Sequence, residues 1–418
     1  MNDNRPPREH RPPPLLPRLA ARSLDAALSA LPVAVLMGAR QTGKSTLALT
    51  HDETRPYLTL DDFETLAQAR TSPLDLVRRY PFMTLDEVQR EPDLLLAIKR
   101  VVDADRPRRR GRFILTGSAN LLLMERVSES LAGRAVYLTL WPLTRRERLG
   151  LGRAGIWSGV LETPVEGWYD LVRGQDVPAE DWKELVVQGG LPTPAHEIEA
   201  PAERTVWFRG YVQTYLERDL QQLAAIENLV DFRRLMRAAA LRIGGVLNQA
   251  ELGRDTAIPR PTVHRYLNLL ETSYQVVRVE PYSINRTRRL IKSPKLYWSD
   301  TGLAMYLTES GTPSGSHLEN LVLTDILAWR ETVAARPQVL FWRTTEGDEV
   351  DFVIETADRL LPIEVKATRK PSPGDVKHLR TFRDEYRDMC PGGLLLHDGD
   401  DVAWLAEGIL AAPWWRVI

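Results

Sequence analysis

The chain has 418 residues, 43% of them hydrophobic, with a formal net charge of −1 and one cysteine, Cys390. That length implies about two to four domains, the lone cysteine excludes an intramolecular disulfide framework, and the near-zero charge leaves any nucleic-acid contact to local basic patches. No apolar run approaches the roughly 18 residues of a membrane helix and no signal-peptide core opens the chain, so a soluble cytoplasmic protein without a membrane partner is expected.

Residues 1–22, rich in Pro and Arg and without periodicity, are expected to be a disordered tail. From 23 to 145, apolar runs at Val33–Met37, Tyr57–Leu60, Pro81–Leu85, Arg112–Leu115 and Ala135–Leu140 read as strands. Helical patterns lie between them, such as Leu94–Asp103 with Leu95, Ile98 and Val102 at helical spacing. This alternation predicts an α/β unit with a mostly parallel sheet, which binds ligands at the carboxyl ends of its strands.

Residues 38–45 read GARQTGKS, a phosphate loop of the form G-x-x-x-x-G-K-S set between a strand and a helix. Gly38, Ala39, Arg40, Gln41, Thr42, Gly43, Lys44, Ser45 and Thr46 are the expected nucleotide contacts. The glycines let the backbone approach an anion, the loop N–H groups and helix start supply partial positive charge, Lys44 reaches the β- and γ-phosphates, and Ser45 holds magnesium. About forty residues on, Phe82-Met-Thr-Leu85 runs into Asp86 and Glu87, a strand ending in two acids. Asp86 is expected to hold magnesium through water and Glu87 to orient the attacking water, so ATP and Mg2+ are the expected cofactors. Where Arg112–Leu115 enters Thr116-Gly-Ser118, Ser118 is favoured over Thr116 as a contact to the γ-phosphate or attacking water. Arg134 reads either as a finger in a neighbouring subunit's site or as an ordinary salt-bridge arginine.

The ordered motifs GARQTGKS, Tyr57–Asp62, Leu85-Asp-Glu-Val-Gln89, Phe113–Ser118 and Ser130–Arg134 resemble a prokaryotic group of AAA+ ATPases whose C-terminal half is domain of unknown function family 4143. Arg40, Gln41 and Gln89 are particular to that group, and the similarity continues through Tyr211–Asp219, Ile243–Asn248, Lys292–Leu303 and Gly347–Phe352. The resemblance implies ATP binding and hydrolysis, and a ring or other homo-oligomer.

Residues 146–240 read as a helical lid and linker, with a tight turn at Gln188–Pro192 and core tyrosines Tyr211 and Tyr215. From 241 to 305 a winged helix is expected: a short helix around Leu247–Leu252, a turn at Arg254–Ile258, a second helix Pro261–Leu270 with Val263, Tyr266, Leu267 and Leu270 inward, and a wing strand Tyr274–Val279. Arg260, Thr262, His264, Arg265 and Asn268 would face DNA, and Arg286, Arg288, Arg289, Lys292 and Lys295 would neutralise phosphates. The alternative is that this unit packs on its own ATPase core. The basic loop Arg106–Arg112 reads as solvated, and the seven histidines lack metal-ligand spacing.

Residues 312–418 form the last unit. Strands Glu349–Ile354 and Leu361–Lys366 carry Asp351 and, with twelve residues between, Glu364 with Lys366 on the same face; Glu319 lies on a helix, His317–Trp329. This resembles the PD-(D/E)xK nucleases of restriction-endonuclease-like fold. The resemblance implies Asp351 and Glu364 as metal ligands, Lys366 as the catalytic lysine and Glu319 as an accessory ligand, although Val350 stands where that pattern has proline. The same strands can persist as a binding scaffold without cleavage. Three functions are therefore in view: a DNA-associated ATP-driven machine, a nucleotide-controlled switch or scaffold for a protein partner, and an ATP-dependent nuclease.

Overall fold

The computed structural model describes residues 15–105, 109–117, 131–219, 226, 228–285, 293–309 and 311–418. Its first sheet has five strands: β1 (Val33–Met37), β2 (Tyr57–Thr59), β3 (Met83–Asp86), β4 (Phe113–Thr116) and β5 (Ala135–Thr139). They are all parallel, in the order β2-β3-β4-β1-β5. Successive side chains of a strand point to opposite faces. Val33 and Val35 accordingly join Leu85 and Leu115 against Leu95, Ile98 and Val102 of helix Leu94–Ala104. Ala34 and Leu36 face the other way, onto Leu24 and Ala27 of helix Ala20–Ala30 and Leu47 of helix Lys44–Thr50.

The helix Ala20–Ala30 shortens the expected tail. Pro-rich composition ends at Pro17, and Leu19, Ala20, Leu24 and Ala27 recur at helical spacing and are buried.

The second sheet adds β6 (Val276–Pro281), β7 (Lys295–Trp298), β8 (Gln338–Arg343), β9 (Glu349–Glu355), β10 (Leu360–Lys366), β11 (Gly393–His397), β12 (Ala403–Ala406) and β13 (Ile409–Pro413). Its order is β12-β13-β11-β10-β9-β8-β6-β7, with parallel and antiparallel pairs mixed. Helix Gly315–Arg330 covers one face through Leu318, Val322 and Ile326, and Leu379 and Phe382 of helix Lys377–Glu385 cover the other.

The helices Gln249–Thr256 and Arg260–Thr272 precede β6. Val263, Tyr266, Leu267 and Leu270 are buried as their spacing predicts. The turn is shorter than expected: Arg254–Thr256 are helical, and the chain reverses at Ala257 (φ 55°) through Pro259, because Asn248 caps the first helix late, accepting from the N–H groups of Ala250 and Glu251. The β6–β7 pair joins the C-terminal sheet through Glu280 and Pro281 opposite Leu340 and Phe341. One apolar cluster runs from Trp157 and Tyr211 through Leu267 and Trp298 to Ile326 and Ile418, so the linker, the helix pair and the C-terminal sheet share a core. Among the described residues no helix is long and apolar enough to cross a membrane.

Candidate functional site

The loop between β1 and helix Lys44–Thr50 is shaped by its glycines. Gly38 has φ 143°, and a Cβ there would sit 2.3 Å from the Leu140 carbonyl oxygen, so only glycine fits. Gln41 (φ 65°) and Gly43 (φ 90°) complete the curl. Inside it, the Thr42 hydroxyl donates to Ala39 O at 2.9 Å. Lys44 is buried, and its ammonium donates to Ala39 O at 2.7 Å and Gly38 O at 3.2 Å. Burial lowers the Lys44 pKa to about 8, against the opposing pull of Glu87 and Asp86. Arg40, Gln41 and Thr46 are exposed.

Asp86 ends β3 and is 4% exposed. Its Oδ1 accepts from Ser45 Oγ at 3.0 Å and from the Thr116 hydroxyl, and its Oδ2 accepts from the Tyr57 hydroxyl at 2.6 Å. Burial, then the bond to Asp86, raises the Tyr57 pKa and keeps the phenol a donor. Ser45 Oγ and the Asp86 carboxylate are hard oxygen donors in contact, a set that suits Mg2+. Glu87 follows in the left-handed region (φ 58°), accepts from Gln89 Nε2, and has its pKa raised by burial and then by Asp86.

Among the described residues, Thr116 is the polar group at the end of β4 that reaches this centre; Ser118, the expected contact, lies outside the described residues. Parallel register explains it: Leu85 lies beside Leu115, so Asp86 and Thr116 are the next neighbours. Arg134 pairs bidentately with Asp103 of its own chain, Nε at 2.7 Å and Nη2 at 2.9 Å, the salt-bridge arrangement of its two readings.

A cleft of about 390 Å3 opens beside the loop, lined by Leu15 to Arg18, Gly43, Thr46, Leu47, Thr50, Pro192 and His196. Arg18 closes its inner end, donating to Thr42 O at 2.6 Å, Trp141 O at 2.7 Å and Glu147 Oε1 at 3.1 Å. Arg18 thus belongs to the packed chain and not to the expected tail. The Leu19–Ala27 periodicity was the signal that the packed chain begins earlier.

The linker touches the same loop. The Tyr211 hydroxyl donates to Arg40 O at 3.3 Å and accepts from Gln275 Nε2 at 3.3 Å, which also donates to Ser273 O at 3.2 Å. The Arg40 guanidinium lies 5.6 Å from the Tyr215 ring centre. Tyr274 packs edge-on against Trp141 at 6.3 Å. Tyr211 and Tyr215, read as core, therefore also border the phosphate loop.

In the C-terminal sheet Glu319, Asp351, Glu364 and Lys366 come together. Asp351 Oδ2 accepts from the Val365 N–H at 2.9 Å, Glu364 Oε1 pairs with Lys366 at 2.6 Å, and Tyr297 donates to Glu319 at 3.1 Å. Burial, then the Asp351 charge, pushes Glu319 and Glu364 well above the ordinary carboxylate range. Lys295 corrects the expected phosphate patch: it is 2% exposed, and its ammonium lies 2.6 Å from Glu349 Oε1 and 3.2 Å from Asp351 Oδ1. Burial alone would lower its pKa, but Asp351, Glu319 and Glu349 outweigh that and raise it. Its place at the head of β7, beside Leu296, Tyr297 and Trp298, is what turns it inward. Arg260, His264 and Arg265 are exposed on the second helix of the pair; Thr262 and Asn268 are half-buried, and Asn268 contacts His264 at 3.0 Å. Arg286, Arg288, Arg289 and Lys292 lie outside the described residues.

Family models match three stretches: an AAA domain over residues 31–149, a domain of unknown function (DUF8612) over 179–314, and a domain of unknown function (DUF4143) over 314–417. An uncharacterized protein of Mycobacterium tuberculosis and one of Mycobacterium bovis are each 30% identical over 407 residues, covering 95% of this chain and 83% of the relative. One from Haemophilus influenzae is 20% identical over 406 residues, covering 90% of this chain and 94% of its own length. Among solved structures, the Walker-type ATPase PABY2304 of Pyrococcus abyssi is 17% identical with a TM-score of 0.41, covering 69% of this chain and 94% of that one.

Proposed function

We propose, from the premise that this chain belongs to the family joining an AAA domain to the domain of unknown function DUF4143, that it binds ATP with magnesium and hydrolyses it at Lys44, Asp86 and Glu87. The observation that carries this reading is that Ser45 Oγ lies 3.0 Å from Asp86 Oδ1, with Glu87 next in the chain. The loop from Gly38 to Thr46 surrounds the phosphates, and Lys44 turns from its carbonyl contacts to the β- and γ-oxygens. Ser45 and Asp86 hold the magnesium ion, which neutralises phosphate charge when bound. Thr116 and Tyr57 fix the Asp86 carboxylate by their hydroxyls. Glu87, held by Gln89, orients the attacking water and takes its proton. The cleft between Leu15–Arg18 and Pro192–His196 receives the base and ribose.

The Tyr211–Gln275 contact supports coupling, because it joins the phosphate loop to the end of helix Arg260–Thr272. In this reading that helix belongs to a winged-helix unit whose Arg260, His264 and Arg265 meet DNA, so that ATP turnover repositions a DNA-contacting surface. Assembly into a homo-oligomer belongs to the same reading. A second reading, a nucleotide-controlled switch that binds a protein, draws on the same contact, which needs no DNA to act.

ATP turnover by wild type and Lys44→Ala, with duplex, single-stranded or branched DNA, tests both. The variant should lose about 10²–10³-fold in turnover, and one DNA form should stimulate the wild type. Robust turnover indifferent to every DNA would favour the protein switch. Turnover unchanged in Lys44→Ala would remove the site.

A further inference from the structure

The C-terminal strands carry acids in a pattern that resembles a metal-dependent nuclease centre, yet their geometry disagrees with a metal there. Asp351, the acid that would be shared by any such ion, has both oxygens engaged: Oδ2 by the Val365 N–H at 2.9 Å and Oδ1 by the Lys295 ammonium at 3.2 Å. The same ammonium lies 2.6 Å from Glu349 and over the Phe341 ring, 5.6 Å from its centre. Lys295 is no surface side chain that could swing away. It is 2% exposed, and its backbone is pinned in β7 opposite Val279 and bridged to Val246. A divalent ion on Asp351 Oδ1 would share that oxygen with a buried like charge, a repulsion poorly screened away from water. Among the described residues, no group of three or more His, Cys, Asp or Glu side chains is placed to hold a metal ion.

We infer that the Lys295 ammonium takes the cation's place in this nuclease-like centre, so that the domain holds no divalent metal on Asp351 and cuts no phosphodiester bond. The lysine does for Asp351 and Glu349 what a metal does elsewhere: it neutralises one buried and one half-buried carboxylate and fixes their orientation. It also fastens β7, which follows the helix pair, to β9 at the heart of the C-terminal sheet. Glu364 Oε2 is buried without a partner and marks where the cluster would accept a second cation once the lysine charge is gone.

The test is Mn2+ binding to the full-length, nucleotide-free chain, read by loss of the free-ion electron paramagnetic resonance signal, with plasmid nicking in Mn2+ alongside. Wild type, Asp351→Asn, Lys295→Met and Lys295→Met/Asp351→Asn are compared, so that Mn2+ held near Ser45 and Asp86 is common to all four. Wild type and Asp351→Asn should bind equally and nick nothing. Lys295→Met should gain one Mn2+ per chain, lost again in the double variant. An Mn2+ site or nicking activity in wild type that Asp351→Asn abolishes would overturn the inference, and that comparison stands even if Lys295→Met does not fold. A folded Lys295→Met that gains no Mn2+ would overturn it as well.

Discussion

Tyr211→Phe removes one oxygen and keeps the ring, so it isolates the link between the phosphate loop and the helix pair. The hydroxyl has two partners, Arg40 O and Gln275 Nε2, each at 3.3 Å. Both lie at the long end of the hydrogen-bond range, so each contributes near the low end of the usual net ~0.5–1.5 kcal/mol. Gln275 is 1% exposed and keeps Ser273 O as an acceptor, and the ring keeps its stack on Trp207 at 5.3 Å. The loss is therefore about 1 kcal/mol, a fall in Tm of no more than about 4 °C. The functional effect should be larger than that stability change suggests. In wild type, adding ATP should alter amide hydrogen exchange across Ser273–Gln275; in Tyr211→Phe the change should disappear while ATP affinity stays within about threefold, the share of roughly 0.6 kcal/mol. An identical ATP-dependent change in the variant would show that the hydroxyl carries no coupling, and the proposed route from loop to helix would be refuted.

Further outcomes follow from the same geometry. Glu87 must be ionised to accept a proton, and burial with Asp86 raises its pKa above the ordinary 4.5, so kcat/KM should climb with pH along a limb whose midpoint lies above that value. A limb at or below 4.5 in the pH–rate profile would contradict the assignment. Gly38→Ala places a Cβ 2.3 Å from Leu140 O at φ 143°. The strain is about 1–3 kcal/mol or more, and nucleotide binding measured by titration should fail. Lys295→Met should cost about 3–5 kcal/mol by stranding the buried Asp351 carboxylate. Adding Asp351→Asn should recover part of that loss, with a coupling of about 0.5–3 kcal/mol in a double-mutant cycle by denaturant unfolding.

The elements of the first sheet were legible because burial on both faces leaves continuous apolar runs bounded by loops, and the phosphate loop because its glycine positions answer a backbone demand. Val263, Tyr266, Leu267 and Leu270 were legible from helical period alone. What escaped depends on contacts between distant segments. Thr116 lies beside Asp86 only through the β3–β4 register, which no local pattern in the sequence states. Tyr57 reads as a strand and motif residue, and nothing local shows that its hydroxyl holds Asp86. Arg18 sits among prolines and arginines, and nothing local tells it from a tail residue; its three acceptors lie 24 to 129 positions away. Lys295 follows a run of basic residues and was grouped with them, whereas its partner Asp351 is 56 positions on. Charge type is visible in a sequence; which charges the fold will bury against each other is not.

In this reading Glu87 activates the water that cleaves ATP in a site that Lys44, Ser45 and Asp86 assemble. Single-turnover ATP hydrolysis by wild type and Glu87→Gln, with ATP affinity determined in parallel, isolates that role. ATP binding should be retained and the hydrolysis rate lowered about 10²–10⁴-fold. A Glu87→Gln chain that hydrolyses ATP at the wild-type rate would contradict it.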